Sequence, residues 1–79
     1  METLSRQSAE EVYQRFFPII TNKCARMLNH TEAQDVAQET FLRLWAERDA
    51  LRDVQAITAW IYRTSTRIAV DRLRSRRAK

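Results

Sequence analysis

Arg63, Arg67 and Arg74 recur at a spacing that, at about 100° per residue of an α-helix, brings them within about 40° of one another. Guanidinium groups in line suit phosphate, because each stays charged and presents a planar fork of donors. Around them stand Arg72, Arg76, Arg77 and Lys79, so that between Arg63 and Lys79 seven cations face Asp71 alone. That density points to a polyanion rather than to a merely solvated helix face. Asp71 follows Arg67 by four residues, within reach of an ion pair that would hold the guanidinium in place. Trp60 and Tyr62 lie just before the arginines, where aromatic rings can stack bases. Trp60 also falls on an apolar stripe and is assigned to the core, which leaves Tyr62 as the better stacking candidate.

A second constellation lies upstream, where Asp35, Gln38, Glu39 and Leu42 recur at i, i+3, i+4 and i+7 and so share one helix face. The opposite side of the same stretch is apolar, with Val36, Ala37, Thr40, Phe41 and Leu44. A leucine ringed by two carboxylates and an amide suits a docking spot for another helix; the alternative is a solvated face. From His30 to Tyr62 the cations Arg43, Arg48 and Arg52 are outnumbered by Glu32, Asp35, Glu39, Glu47, Asp49 and Asp53. The chain therefore has an acidic middle and a basic tail, which suit different partners.

No residues converge for covalent chemistry. There is no glycine-rich phosphate loop, no paired histidine ligands and no nucleophile with its base, so an enzyme is not expected, nor a metal or other cofactor. Cys24 is the sole cysteine, which excludes an internal disulfide and a thiolate zinc site and suits a small buried hydrophobe in a reducing compartment. His30 has no second ligand in view and reads as a polar loop residue. No apolar run is long enough for a membrane span and no signal peptide opens the chain, so a cytoplasmic protein is expected.

The elements that position these residues are helical. A chain of 79 residues allows one core, and zero glycine with a single proline, among abundant Ala, Leu, Arg, Glu and Gln, predicts an all-α fold. Ser8 and Glu11 form a capping box after a frayed lead-in at 1–7, and the helix they open carries Ala9, Val12, Tyr13, Phe16, Ile20, Cys24 and Met27 on one face. It is expected to kink near Phe17 and Pro18 and to continue to Asn29. Thr31 and Gln34 form a second box opening a central helix that runs to about Glu47, with Trp45 at the border of its buried stripe. The short connection makes these two helices antiparallel. Arg48 to Gln55 reads as a loop with Asp53 as an N-cap. A third helix then runs from Val54 or Gln55 to about Arg76, burying Ile57, Trp60, Ile61, Thr64 and Ile68, before a frayed end at 77–79.

Two stretches carry a family resemblance. Asp35-Val36-Ala37-Gln38-Glu39-Thr40-Phe41-Leu42-Arg43-Leu44-Trp45, with Ala59-Trp60-Ile61-Tyr62-Arg63 and Ala69-Val70-Asp71-Arg72-Leu73-Arg74, resembles region two of bacterial sigma factors of the extracytoplasmic-function group. The likeness extends from about Ala9 to Arg77, and it makes the whole chain, 1–79, one region-two domain. It implies a small three-helix bundle that binds the clamp helices of the largest RNA polymerase subunit and recognises and melts the promoter minus-ten element. It also implies that Asp35, Gln38, Glu39 and Leu42 contact polymerase. Promoter DNA would be contacted by the loop, with Arg48 and Arg52, and by Tyr62, Arg63, Thr64, Arg67 and Arg74 of the third helix. Such domains flip a base into a pocket made partly by that loop, at an unstacking cost of about a few kcal/mol.

This loop contains no glycine, so a base pocket of different shape is expected, and Arg67 stands where the group commonly has asparagine. Leu51-Arg52-Asp53 together with Arg67 is closer to the ferric-siderophore uptake subgroup. Nothing resembles the region four that reads the minus-thirty-five element, so the chain looks like an isolated domain, and family members are commonly held by an anti-sigma partner. The competing reading is a helical protein-interaction module with no direct DNA function.

Overall fold

The structure, a computed structural model, describes residues 6–51 and 53–77. It is all-α, with α1 at Arg6–Cys24, α2 at His30–Ala46, a 3₁₀ turn at Arg48–Ala50 and α3 at Val54–Arg77. α2 is antiparallel to α1, since Tyr13 near the start of α1 meets Phe41 near the end of α2, with ring centroids 5.1 Å apart. Phe16, Ile20 and Cys24 of α1, Val36, Ala37, Phe41 and Leu44 of α2, and Ile57, Ile61, Ile68 and Ala69 of α3 close one core. The expected stripes supply most of the core, with two additions in α3, Ser65 and Ala69, both shut off completely from solvent, while Ala9, Val12, Met27 and Thr64, expected on the inner faces, are only half-buried. Trp60, as expected of it, is partly buried against this core. Tyr13, assigned to the inner face of α1, stays 39% exposed.

The helix ends differ from the sequence expectation, for one physical reason. With no glycine, and no residue at positive φ among those described, the left-handed cap that commonly ends a helix is absent. α1 instead stops at Cys24, five residues short of Asn29, and its turn tightens as the N–H groups of Met27 and Leu28 both reach the Cys24 carbonyl, at 3.0 and 2.9 Å. This turn puts Leu28 into the core and leaves Asn29 extended, at φ −75° and ψ 169°. Asn29, rather than Thr31, therefore caps α2. Its Oδ1 accepts from the Glu32 N–H at 2.8 Å while its Nδ2 donates to Glu32 Oε1 at 3.0 Å, a reciprocal box whose donor and acceptor come from one amide. Thr31 and His30 fall inside the first turn, so His30 is a helical and not a loop residue.

At the other end, α1 starts by Arg6, within the expected lead-in, so Ser8 lies inside the helix and is not its cap; residues 1–5 and 78–79 lie outside the described residues. α1 runs unbroken through Pro18. Pro18 and Gln14 are both exposed, so the carbonyl that loses its partner to proline is on the side open to water. α3 extends to Arg77, and its N-cap is the expected Asp53, whose Oδ1 accepts from the Gln55 N–H at 3.0 Å. The stretch before it is not a plain loop: the 3₁₀ turn leads to Leu51, which is buried and ties the connection to the core.

Buried polar groups are few. Thr40 donates to the Val36 carbonyl at 2.8 Å and Ser65 to the Tyr62 carbonyl at 3.2 Å. The Thr21 hydroxyl is buried with no hydrogen-bond partner among the described residues. Burial pushes the Cys24 thiol above its ordinary pKa of 9.0, against a smaller downward pull from Lys23. Thr21→Val should therefore stabilise the domain by about 1 kcal/mol, read as a higher urea midpoint; a fall would mean that the hydroxyl has a partner. Leu44→Ala, which empties a site only 1% exposed, should cost about 2–5 kcal/mol, whereas Leu42→Ala, two residues away, should change stability by less than about 0.5 kcal/mol.

Candidate functional site

Among the described residues two grooves bear on function once the core is closed. The first is a groove between α1 and α2, lined by Ala9, Glu10 and Tyr13 from α1 and by Gln38, Phe41, Leu42, Leu44 and Trp45 from α2. Leu42 is 72% exposed there and Trp45 40%, so with Tyr13 they make an apolar strip that the fold leaves open. Gln38 and Leu42 belong to the face singled out by spacing; the α1 residues do not, and only the antiparallel packing brings them in. Sequence periodicity within one helix contains no signal for Tyr13.

The same face divides along its length. Asp35 is exposed, while Glu39 turns toward α3. Its Oε2 lies 2.6 Å from Arg43 Nη2 and its Oε1 3.3 Å from Arg72 Nη2. Gln38 and Glu39 thus sit on opposite flanks of the patch, one on the α1 groove and one on the α3 seam. Arg72, counted by sequence with the basic tail, is spent on this seam. Both pairs are partly exposed and contribute at most about 1 kcal/mol each, so they orient side chains more than they hold the fold.

The second surface is a shallow groove on α3, lined by Arg63, Thr66, Arg67, Val70, Asp71 and Arg74. All three in-line arginines are exposed and meet in it. The expected Arg67 to Asp71 pair is not among the ion pairs of the described residues. Both side chains are exposed, where a single pair gains little against the entropy of fixing it. Thr64, about 100° around the helix from Arg63, is half-buried and lies outside this groove. Tyr62 is half-buried, its ring edge-on to Phe16 at 6.2 Å and under Lys23 Nζ at 5.2 Å, so part of its stacking surface is already used within the bundle.

Arg48 stands at the far end of α2. Its guanidinium lies 4.2 Å from the centre of the Trp45 ring, and its Nη1 donates to the Trp45 carbonyl at 2.7 Å. A cation at the carboxyl end of a helix meets the negative pole of its dipole, which is a structural role available to Arg48 without any ligand. Arg52 lies outside the described residues. Among the described residues no group of three or more His, Cys, Asp or Glu could hold a metal ion, and no helix is long and apolar enough to cross a membrane.

Comparison with known proteins identifies the family. The family described as sigma-70 region 2 matches residues 12–79. The chain is 36% identical over 55 residues to the ECF RNA polymerase sigma factor SigW of Bacillus subtilis strain 168, a match covering 68% of this chain and 29% of the relative. The chain thus spans less than a third of that relative's length. No solved structure gives a significant match. A three-helix all-α bundle with a family match across nearly its whole length places the chain in the sigma-70 region 2 family.

Proposed function

We propose that this domain, of the extracytoplasmic-function type, docks on the clamp helices of the largest RNA polymerase subunit through the α1/α2 groove and engages the promoter minus-ten element through α3. The observation that carries the docking half is Leu42, 72% exposed between Tyr13 and Trp45 on a helix whose other side is fully buried. A partner helix laid there would cover the apolar strip, while Asp35, Gln38 and Glu39 along the rim would meet polar or basic groups on it. Because Glu39 already holds Arg43 and Arg72, Gln38 and Leu42 are the positions at which substitution reports docking alone.

The DNA half rests on the arginine groove. From Arg63 to Arg74 it runs about 16 Å along the helix at about 1.5 Å per residue, the length of about five phosphates along one strand at about 3.4 Å each. Arg48, Arg52 and Thr64 would add contacts from the connection and from the flank of α3, and Tyr62 would offer the part of its ring left free by Phe16 and Lys23. Leu51, anchored in the core, would let the connection hold a flipped base without itself unfolding. Activity of this kind places the domain in the cytoplasm with polymerase. An anti-sigma partner would compete for these surfaces, and in the intact protein a region four would read the minus-thirty-five element. The likeness to SigW lends no support to the siderophore-uptake subgroup suggested by Leu51, Arg52, Asp53 and Arg67, and no inducing signal is assigned.

Replacing Gln38 and Leu42 together by alanine should weaken binding to a clamp-helix fragment at least tenfold, with the thermal unfolding midpoint unchanged; unaltered affinity would sink the docking assignment. Replacing Arg63 and Arg67 by alanine should lower the slope of log K against log salt for minus-ten DNA by about two, one for each phosphate no longer neutralised. A slope that does not move would favour the rival reading, a helical interaction module with no direct DNA function.

A further inference from the structure

We infer that Lys23, from the last turn of α1, is a fourth phosphate-binding cation of the arginine groove, supplied by a different helix. This deepens the DNA-binding reading above and rests on it. Lys23 Nζ donates to the Tyr62 carbonyl at 3.4 Å and to Thr66 Oγ1, and it lies 5.2 Å from the centre of the Tyr62 ring. Thr66 is itself a lining residue of the groove, so the ammonium stands one hydrogen bond from that lining.

The register along α3 makes the placement specific. Tyr62 and Thr66 are one turn apart, and each immediately precedes an arginine of the rail, Arg63 and Arg67. Lys23 is therefore level with the gap between those two guanidinium groups, on the α1 side. An ammonium carries three donors, and the Tyr62 carbonyl and Thr66 hydroxyl take two. The third remains for a phosphate oxygen seated between Arg63 and Arg67. Both fixed bonds and the Tyr62 ring hold the long side chain in place, so little of its rotamer freedom remains to be lost when an anion binds. With Lys23 the groove sets four cations against Asp71.

The alternative is that Lys23 only ties α1 to α3, and the salt dependence of binding separates the two roles. A short mixed-sequence single strand should bind Lys23→Met with a slope of log K against log salt smaller by about 0.7, the value of one phosphate contact on a single strand, while Lys23→Arg keeps the wild-type slope. Lys23→Met with an unchanged slope and a lower unfolding midpoint would overturn the inference and leave a structural tie. Arg63→Ala serves as the reference. If it lowers the slope and Lys23→Met does not, only this inference fails; if neither does, the DNA-binding reading falls with it. In the wild-type protein, titration with the same strand should shift the NMR resonance of the Lys23 ammonium, and no shift overturns the inference however the variants fold.

Discussion

The constraint on which the rest of the structure depends is that α2 must be covered on one side by both other helices, in a chain with material for a single core. Ala33, Val36, Ala37 and Thr40 lose all exposure, and they are small or β-branched, so α1 and α3 can approach the α2 backbone closely. Phe41 and Leu44 add the larger side chains of the same buried stripe. Burial of this one stripe fixes which side of α2 is left outward. The exposed face of Asp35, Gln38 and Leu42 is the complement of the packing, and its leucine is not needed by the fold.

The absence of glycine shapes the connections in the same way. Among the described residues no helix ends on a left-handed residue, so the chain leaves α1 through tightened turns and leaves α2 through a 3₁₀ segment in which the Ala50 N–H returns to the Glu47 carbonyl at 3.0 Å and the Leu51 N–H to the Arg48 carbonyl at 3.2 Å. The connection between α2 and α3 is correspondingly short, capped by Arg48 on one side and Asp53 on the other, with Leu51 driven into the core between them. Glycine-free sequence here produces an anchored corner instead of a slack loop.

What is legible in the sequence follows from what lies within one helix. The stripes of α2 and α3, the outward patch and the line of arginines are periodicities, and 3.6 residues per turn determines them without reference to any neighbour. The α2 cap is not of this kind, because Thr31 and Gln34 fit the same pattern as Asn29 and Glu32, and only the path of the preceding turn chooses between them. Leu51 could not be found from periodicity, since it belongs to no helix. Glu39 to Arg72 and Lys23 to Thr66 join residues 33 and 43 positions apart, and a single sequence carries no register between helices.

Those long-range contacts give α1 a part that its own sequence does not announce. Near its start, Tyr13 borders the groove that α2 opens with Leu42 and Trp45; near its end, Lys23 stands against the arginine face of α3. Ten residues, about 15 Å of continuous helix, separate the two. Phe16 and Ile20 are buried between them, so the segment joining the grooves is itself part of the core and cannot bend without disturbing the packing. The two surfaces are thereby held at a fixed distance and angle by one helix. A partner on the α1/α2 groove and a polyanion on α3 would meet the domain as a single rigid piece, which is the mechanical condition for positioning nucleic acid relative to a docked protein.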